Sequence, residues 1–512
     1  MIVKDNFDVA GLPMTSGFQG WKNYVPPSDA TIVKKIREAG GIILAKSSLS
    51  EFALGLTDTQ NSVVPGFVRN PYNTAFASGG SSGGTGASVA ANFGVVGIGS
   101  DTSGSVRIPS AFNALAGLRP TVGLVSRTGM VPFDSVRDTP GPMARSVTDM
   151  AFLLDVIVGA DAEDPATSRA AGHILPSYVS ALKTDALKGA RLGVLRQIFK
   201  PEVTDPRIIA HFETTLAELK AAGAEIVDPL VVPEIDSIPR PWQTQARFKD
   251  DLTRWIAKHP GVPFPSIKAI ADSKLLHPSY AWWWNDAVGA KPVQEDPATI
   301  QLARDEQRYR DAFTKAMDTS RIDAVIFPVS TQLPPINGAT NGGSLTFVAS
   351  SLQWPALSVP SGYLGEGLPQ GLEILGRAWD EEKIVGYAYA YEQATHYRRP
   401  PPTVPPLVES LANRFIGIWQ LVTIRERDGI WLIRLSGINV LLSSSLNSAS
   451  KPEKPLRQSD FSAAILCNAT IMRSSQSGLR SVNWRSASRS RRHQPKTKLD
   501  FGERRVGASG AL

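Results

Sequence analysis

The sequence of 512 residues contains a single cysteine, Cys467, which excludes an internal disulfide framework and a cysteine-based zinc site. It also lacks any run of 18 uncharged apolar residues, and its start does not join a basic stretch to an apolar one as a signal peptide does. Glycine and proline, with 43 and 38 residues, are present in ordinary globular amounts. We therefore expect a soluble, cytoplasmic protein without membrane contact.

The positive charge of the sequence, +7 overall, is concentrated near its C-terminus. Residues 408–512 hold 17 Lys and Arg against 7 Asp and Glu, a balance of +10, which leaves 37 against 40, or −3, for residues 1–407. Because the larger part is mildly acidic, we expect no nucleic-acid partner for it.

Hydrophobic periodicity ends after Arg399, where the sequence becomes rich in serine and arginine. We therefore expect a folded domain over residues 1–400 and a basic tail over residues 401–512. Three interpretations of the tail are an arm for nucleic acid or another acidic partner, a disordered extension, and translated sequence that was never selected to fold. The composition favours a disordered tail.

Helical and strand patterns alternate over the first 400 residues, which predicts an α/β fold with a large mixed central sheet and helices on both faces. The predicted helices cover residues 30–39, 206–222, 298–317 and 380–395. The predicted strands are short apolar runs at residues 42–45, 191–195, 225–227, 323–328, 356–360 and 371–376.

The most informative segment covers residues 78–110, where nine of the 26 residues from Gly79 to Gly104 are glycine. So many glycines imply a backbone that adopts positive φ or closely approaches another group. Such a segment could cradle a phosphate, or could offer backbone N–H groups to an oxyanion beside a serine nucleophile. The phosphate alternative is less favoured, because no Gly-Lys-Ser/Thr ending follows and the spacing of glycines at 94–99 does not match the dinucleotide fingerprint.

A serine nucleophile needs a base, which is usually histidine. The six histidines lie in unrelated local contexts without a signature, so none of them is favoured. A lysine can serve instead when burial lowers its pKa enough to leave the amine neutral near pH 7. No motif indicates a cofactor or a metal ion, and we expect none.

Two stretches of this segment, GGSSGGTG at 79–86 and GSDTSGSVRIP at 99–109, resemble the amidase signature family. Lys4-Asp5-Asn6 and the stretches at 118–123, 141–146 and 371–377 match it as well, so the resemblance covers most of residues 1–400. Members hydrolyse carboxamides with a Ser–Ser–Lys triad on an α/β/α sandwich. The resemblance implies this fold, and a small-molecule amide that is converted to a carboxylate and ammonia or an amine.

By this resemblance, Ser105 matches the nucleophile that forms the acyl-enzyme, Ser81 the bridging serine whose preceding peptide bond is cis, and Lys4 the base. The positions that match the oxyanion hole, through their backbone N–H groups, are Thr102, Ser103, Gly104 and Ser105. Gly79 and Gly80 match positions at the substrate. The chemistry fits, because an amide needs a base for the attacking hydroxyl, donors for the oxyanion and a proton for the leaving nitrogen.

Several features depart from the family pattern. Ser103 stands where many members have glycine, and Glu373 where many have glutamine. Lys46 is a rival lysine, but its surroundings match another family segment, and we interpret it as structural. Only three residues precede Lys4, whereas members have several tens there. We therefore expect an N-terminally truncated domain with Lys4 at a fraying end, where water would hold its pKa near roughly 10.4 and leave a poor enzyme.

Residues 280–284, Tyr-Ala-Trp-Trp-Trp, could line a hydrophobic acyl pocket or pack a helix onto the domain. Three functions agree with the sequence. The favoured one is a general carboxamide hydrolase. The second is the A subunit of a tRNA-dependent amidotransferase, which hydrolyses glutamine and passes ammonia to a partner subunit. The third is an inactive product of a truncated reading frame.

Overall fold

The computed structural model describes residues 1–404 except 56, 239–243 and 340–342, and five short strands after residue 404. The chain divides into two units, Met1–Val404 and Pro405–Leu512. In the part of the chain that is described, no helix is both long enough and apolar enough to cross a membrane.

The strands of the first unit include ten that form one mixed sheet in the order β2-β1-β5-β7-β6-β11-β12-β10-β8-β9, and two, β3 and β4, that pair separately. Their bounds are β1 Ile2–Lys4, β2 Ala45–Ser47, β3 Arg69–Asn70, β4 Asn73–Ala77, β5 Val96–Asp101, β6 Ala116–Arg119, β7 Thr139–Ala144, β8 Arg191–Val194, β9 Glu225–Val227, β10 Ala324–Pro328, β11 Ala356–Leu364 and β12 Leu368–Leu375.

Helices of this unit include α1 Thr31–Glu38, α2 Gly83–Ala90, α3 Arg107–Phe112, α4 Val147–Ile157, α5 Pro206–Ala221, α6 Gln245–Lys258, α7 Ile267–Asp272, α8 Ala281–Gly289, α9 Pro297–Thr319, α10 Phe347–Leu352 and α11 Glu381–Thr395. Several begin at a residue that accepts a hydrogen bond from the first turn, as Ser146 does for α4 and Asp296 for α9. Such caps satisfy backbone N–H groups that have no partner inside the helix.

The sheet is parallel near both of its edges and antiparallel in the middle. β1 pairs in parallel with β2 on one side and β5 on the other, and β8 pairs in parallel with β9 and β10. The strands between them, from β7 to β12, pair antiparallel. This confirms the predicted α/β fold with a large mixed central sheet.

The strand predicted at residues 42–45 is present as β2, but it begins three residues later, at Ala45. Ile42 and Leu44 are 77% and 62% exposed, whereas Ile43 between them packs against the main core. The other predicted helices and strands are present, with ends that differ by a few residues.

A second apolar cluster, apart from the main core around the sheet, is built from aromatic residues of α6, α8 and the loop after β1. Trp283 and Trp284 of α8 are buried in it, and the Trp284 ring lies 4.7 Å from that of Phe52 and 5.1 Å from that of Phe248. The residues at 280–284 therefore pack a helix onto the domain, which is the second of the two interpretations that the sequence left open.

The second unit contains one antiparallel sheet with the strands β13 Thr423–Arg427, β14 Ile430–Leu435, β15 Ile438–Ser443, β16 Thr470–Arg473 and β17 Arg480–Val482. The expectations of a disordered tail or a nucleic-acid arm concern residues that lie for the most part outside the described ones.

Candidate active site

Lys4, the last residue of β1, is fully buried at 0% exposure. Its Nζ donates hydrogen bonds to Ser81 Oγ at 2.7 Å and to Ser100 Oγ at 2.8 Å. The expectation of a water-exposed lysine on a fraying end is wrong. β1 is held between two parallel strands, and the amino group of Met1 donates to Ile42 O at 2.8 Å, so the strand is fixed from its first residue.

Burial lowers the pKa of Lys4 from its ordinary value to about 7, although the negative charges of Asp101 and Asp138 act in the opposite direction. The charged form of an amine is costly in a site from which water is excluded. A large fraction of Lys4 is therefore neutral near pH 7 and can accept a proton.

Ser81 follows a cis peptide bond between Gly80 and Ser81, in agreement with the family pattern. A Cβ at Gly80 would lie 2.7 Å from the carbonyl oxygen of Asp58, and Gly79 has a φ of +75°. Backbone contacts therefore explain why both positions are glycine, and their contact with substrate stays a prediction. Ser81 itself is buried, and its carbonyl oxygen accepts from Ser50 N at 3.1 Å.

Ser105 lies between β5 and α3, and its side chain is almost completely buried. Its carbonyl oxygen accepts a hydrogen bond from Ser82 N at 3.2 Å. The structure therefore brings Ser105 next to the segment of Ser81, 24 positions earlier in the sequence, and Ser81 Oγ in turn accepts from Lys4 Nζ.

Residues 101–106 form a tight turn, here called the signature turn. The carboxylate of Asp101 accepts from Gly104 N at 2.8 Å and from Val106 N at 3.1 Å. Gly104 has a φ of +128°, and a Cβ there would lie 1.8 Å from Thr346 Oγ1, so only glycine fits. Since its N–H is donated to Asp101, Gly104 contributes to the turn itself. The assignment of the other three N–H groups to an oxyanion stays a prediction.

Two buried arginines hold Asp101 in place. Arg107 donates to the carboxylate through Nε and Nη2, both at 3.1 Å, and Arg119 through Nη1 at 3.0 Å. Burial by itself would raise the pKa of Asp101, but the two guanidinium charges outweigh it and hold this pKa well below its usual range. The carboxylate of Asp101 at the centre of the turn therefore stays ionised. The motif match included Asp101 and Arg107 but gave neither of them a role.

Glu373, one of the departures from the family pattern, belongs to the same network. Its Oε1 contacts Arg107 Nη1, and Arg107 Nη2 also donates to Ser350 Oγ at 3.0 Å. Burial raises the pKa of Glu373 to about 7 against the opposing charge of Arg107. The residue at position 373 therefore acts on the turn through Arg107.

Asp138, which precedes β7, was missed by the sequence analysis because no local pattern distinguishes it. Its Oδ1 accepts from Thr102 Oγ1 at 2.6 Å, and its Oδ2 accepts from Phe133 N at 2.7 Å and Asp134 N at 3.0 Å. Burial raises its pKa to about 7. It joins the signature turn to the loop that precedes β7.

The rival base candidates have other partners. Lys46 forms an ion pair with Asp5 at 2.7 Å, in agreement with a structural role. His211 faces Ser361 Oγ at 3.2 Å and His259 faces Asp8 Oδ2 at 3.1 Å.

Known proteins resemble this chain over most of its length. The family model described as Amidase matches residues 1–385. The A subunit of the Glutamyl-tRNA(Gln) amidotransferase from Thermosynechococcus vestitus is 33% identical over 423 residues, which cover 78% of this chain and 85% of the relative. The protein of the same name from Moorella thermoacetica is 32% identical over 428 residues, with 78% and 84% covered.

Solved structures give the same result. The native peptide amidase of Stenotrophomonas maltophilia is similar with a TM-score of 0.71 and 33% identity, over 79% of this chain and 84% of that one. The A subunit of the Glutamyl-tRNA(Gln) amidotransferase from Thermotoga maritima is similar with a TM-score of 0.60 and 27% identity, over 79% and 86%. With a family model that matches residues 1–385 and relatives at 33% identity, this chain belongs to the amidase signature family.

Proposed function

We propose that this chain hydrolyses a carboxamide through an acyl-enzyme on Ser105, with Ser81 and Lys4 as the proton relay. The observation that carries the proposal is the hydrogen bond of 2.7 Å from Lys4 Nζ to Ser81 Oγ, made by a buried lysine with a pKa of about 7. A neutral amine beside a hydroxyl is the arrangement that general base catalysis requires.

The relay works in both directions. Ser105 Oγ attacks the carbonyl carbon while its proton passes to Ser81 Oγ, and the proton of Ser81 passes to Lys4 Nζ. The tetrahedral oxyanion faces N–H groups of the signature turn, which the ionised Asp101 fixes in place. Lys4 then returns a proton through Ser81 to the leaving nitrogen, and the C–N bond breaks. Water attacks the acyl group by the same route and releases the carboxylate.

Single-residue variants test this assignment. Ser105→Ala is expected to abolish both amide turnover and covalent labelling by a fluorophosphonate. Ser81→Ala is expected to reduce turnover strongly but to leave Ser105 available for labelling, because the nucleophile remains. Wild-type turnover in Ser105→Ala would refute the proposal.

A second candidate function is the glutaminase subunit of a tRNA-dependent amidotransferase. It is supported by the curated relatives, which are named as A subunits of Glutamyl-tRNA(Gln) amidotransferases. That name, which includes a tRNA, conflicts with the expectation that no nucleic acid is involved. The net charge of −3 over residues 1–407, in contrast, supports that expectation. Assays of the isolated chain on glutamine, and on simple aliphatic and aryl amides, would separate the two functions. Turnover of glutamine alone favours the amidotransferase.

The third alternative, an inactive product of a truncated reading frame, assumed a chain that cannot fold or cannot place its lysine. The buried Lys4 with its hydrogen bonds to Ser81 and Ser100 argues against this alternative. We therefore propose an active hydrolase.

A further inference from the structure

A cavity of about 410 Å³ lies next to the signature turn. Its wall includes Asp138, whose carboxyl group accepts the hydrogen bond from Thr102 Oγ1. It also includes Asp8, in the loop that follows β1. Both residues mark the edge of the sheet at which the parallel strands β1 and β5 end, and ligands of such sheets bind at the carboxyl ends of the strands. The cavity thus borders the signature turn through Asp138.

Charged side chains line this cavity, and its arginines are already paired. Arg127 donates to Asp164 at 2.6 Å, and Arg254 contacts Asp251, so four of the charged groups in the wall neutralise one another. An anionic ligand would have to compete with these carboxylates for the guanidinium groups.

Two of the carboxylates that remain in the wall, those of Asp8 and Glu163, are poorly compensated, whereas Asp29 pairs with Arg37. Among the described residues, Glu163 forms no ion pair, and Asp8, which is only 4% exposed, has an Oδ1 with no hydrogen-bond donor. Asp138, in contrast, accepts hydrogen bonds from Thr102, Phe133 and Asp134. On the cationic side, Lys258 has no ion-pair partner among these residues, and His259 faces Asp8 Oδ2. A buried acceptor without a donor is costly, and a cation would supply what these carboxylates lack.

We propose that this cavity binds a protonated amine of the substrate, so that the preferred amides carry a cationic group at a distance from the amide that is cleaved. The inference rests on the proposed function, because it takes Ser105 as the point of cleavage. It replaces the idea of an aromatic acyl pocket at residues 280–284, since Trp283 and Trp284 are packed in the interior.

Matched substrates test the inference. We would measure kcat/KM at pH 7 for ω-amino carboxamides with one to five methylenes and for alkanamides of equal length. At one chain length, kcat/KM for the amino compound is expected to be about tenfold or more above that for the alkanamide, which corresponds to ~1.4 kcal/mol. Equal or faster cleavage of the alkanamide at every length would overturn the inference and leave the proposed function intact.

Binding provides a readout that does not depend on turnover. Calorimetry with Ser105→Ala is expected to detect the amino amide of the favoured length and to show weaker binding of the alkanamide. Equal affinity of the two compounds, or no binding of either, would contradict the cation site. Fluorophosphonate labelling, which should be lost only in Ser105→Ala, tests the nucleophile separately. The proposed nucleophile and the proposed cation site can therefore fail independently.

Two exposed charges in the wall provide matched variants. Glu163→Gln is expected to lower the ratio of the two kcat/KM values by about two- to fivefold, and Lys258→Gln to raise it by a similar factor, as for exposed charge pairs. Lys268→Gln, on α7 and paired with Asp272 outside the cavity wall, is the control and is expected to leave the ratio unchanged. The proposed contact would be refuted if the ratio stayed unchanged in both Glu163→Gln and Lys258→Gln. It would also be refuted if Glu163→Gln raised the ratio and Lys258→Gln lowered it.

Discussion

Lys4 Nζ lies 2.7 Å from Ser81 Oγ, although the two residues are 77 positions apart in the sequence. β1 carries the lysine and pairs with both β2 and β5, and β5 leads directly into the signature turn with Ser105. The pairing that orders β1 therefore also buries its lysine beside Ser81 and Ser100. Formation of this edge of the sheet therefore also lowers the pKa of Lys4.

The pH dependence of turnover is expected to follow Lys4. The amine must be neutral to accept a proton, and burial lowers its pKa to about 7, so kcat/KM should rise as the pH passes through about 7. A pH–rate profile between about pH 5.5 and 10 checks this. A rise only near pH 10, as for a lysine in water, would contradict a buried base.

Stability is expected to change with pH through the same group. The folded pKa of Lys4, about 7, lies below the unfolded value near 10.5, so between these values the unfolded chain binds more protons and stability rises with pH. Relative to Lys4→Met, the wild type should gain about 1 kcal/mol per pH unit in that window. Denaturant unfolding at several pH values measures the difference, and parallel curves for the two proteins would refute it.

Gly104→Ala is expected to destabilise the domain by about 3 kcal/mol and to abolish turnover, because the new Cβ would overlap Thr346 Oγ1 at a φ of +128°. Gly172→Ala is the matched control, since Gly172 also has a positive φ of +80° but no atom within 4 Å of the added Cβ. Thermal unfolding and turnover of both variants provide the comparison. Partial recovery is expected when Thr346→Ala is added to Gly104→Ala. Equal losses in Gly104→Ala and Gly172→Ala would show that the contact with Thr346 is unimportant.

Glu373→Gln is expected to change how stability depends on pH. Burial raises the folded pKa of Glu373 to about 7, above its ordinary value of 4.5, so the folded chain binds the extra proton and wild-type stability falls as the pH rises between these values. The glutamine variant lacks this contribution and should lose less stability between about pH 5 and 7. Glu382→Gln, at an exposed position of α11, is the control and should behave like the wild type. The same pH dependence in Glu373→Gln and wild type would exclude a titrating Glu373.

Removal of the second unit is expected to leave folding and turnover unchanged when the chain is cut after Val404, the end of the first unit. A cut after residue 398 should be less stable, because Arg399 O accepts from Tyr72 Oη at 2.6 Å and Thr403 Oγ1 donates to Pro71 O. Melting temperatures of the two truncated chains and the full chain make the comparison. A much lower melting temperature for the chain cut after Val404 than for the full chain would show that the second unit stabilises the first. RNA binding that weakens with salt and occurs only in the full chain would identify a nucleic-acid arm.

Much of the site could be predicted from the sequence, because its residues lie in short segments with unusual composition. The glycines and serines at 79–86 and 99–105 indicated an oxyanion site and then the family, and with it Ser81, Ser105 and Lys4. Asp138 and Arg119 could not be given a role in this way. Each acts on the signature turn from a distant part of the chain, and such long-range partners leave no local pattern.

The sequence by itself determined the helices α1, α5, α9 and α11 and the strands β8 to β12, since hydrophobic periodicity and end signals are local properties. Only the tertiary structure decided whether the Lys4 side chain is exposed to water or buried. That depends on strand pairing of Ile2–Lys4 with Ala45–Ser47 and with Val96–Asp101, which lie more than 40 and 90 positions away. It also decided that Tyr280, Trp283 and Trp284 pack inside, whereas Trp282 is exposed and charged groups line the cavity beside Asp138. Solvation and charge compensation depend on which distant residues surround a group, and only the folded chain fixes those neighbours.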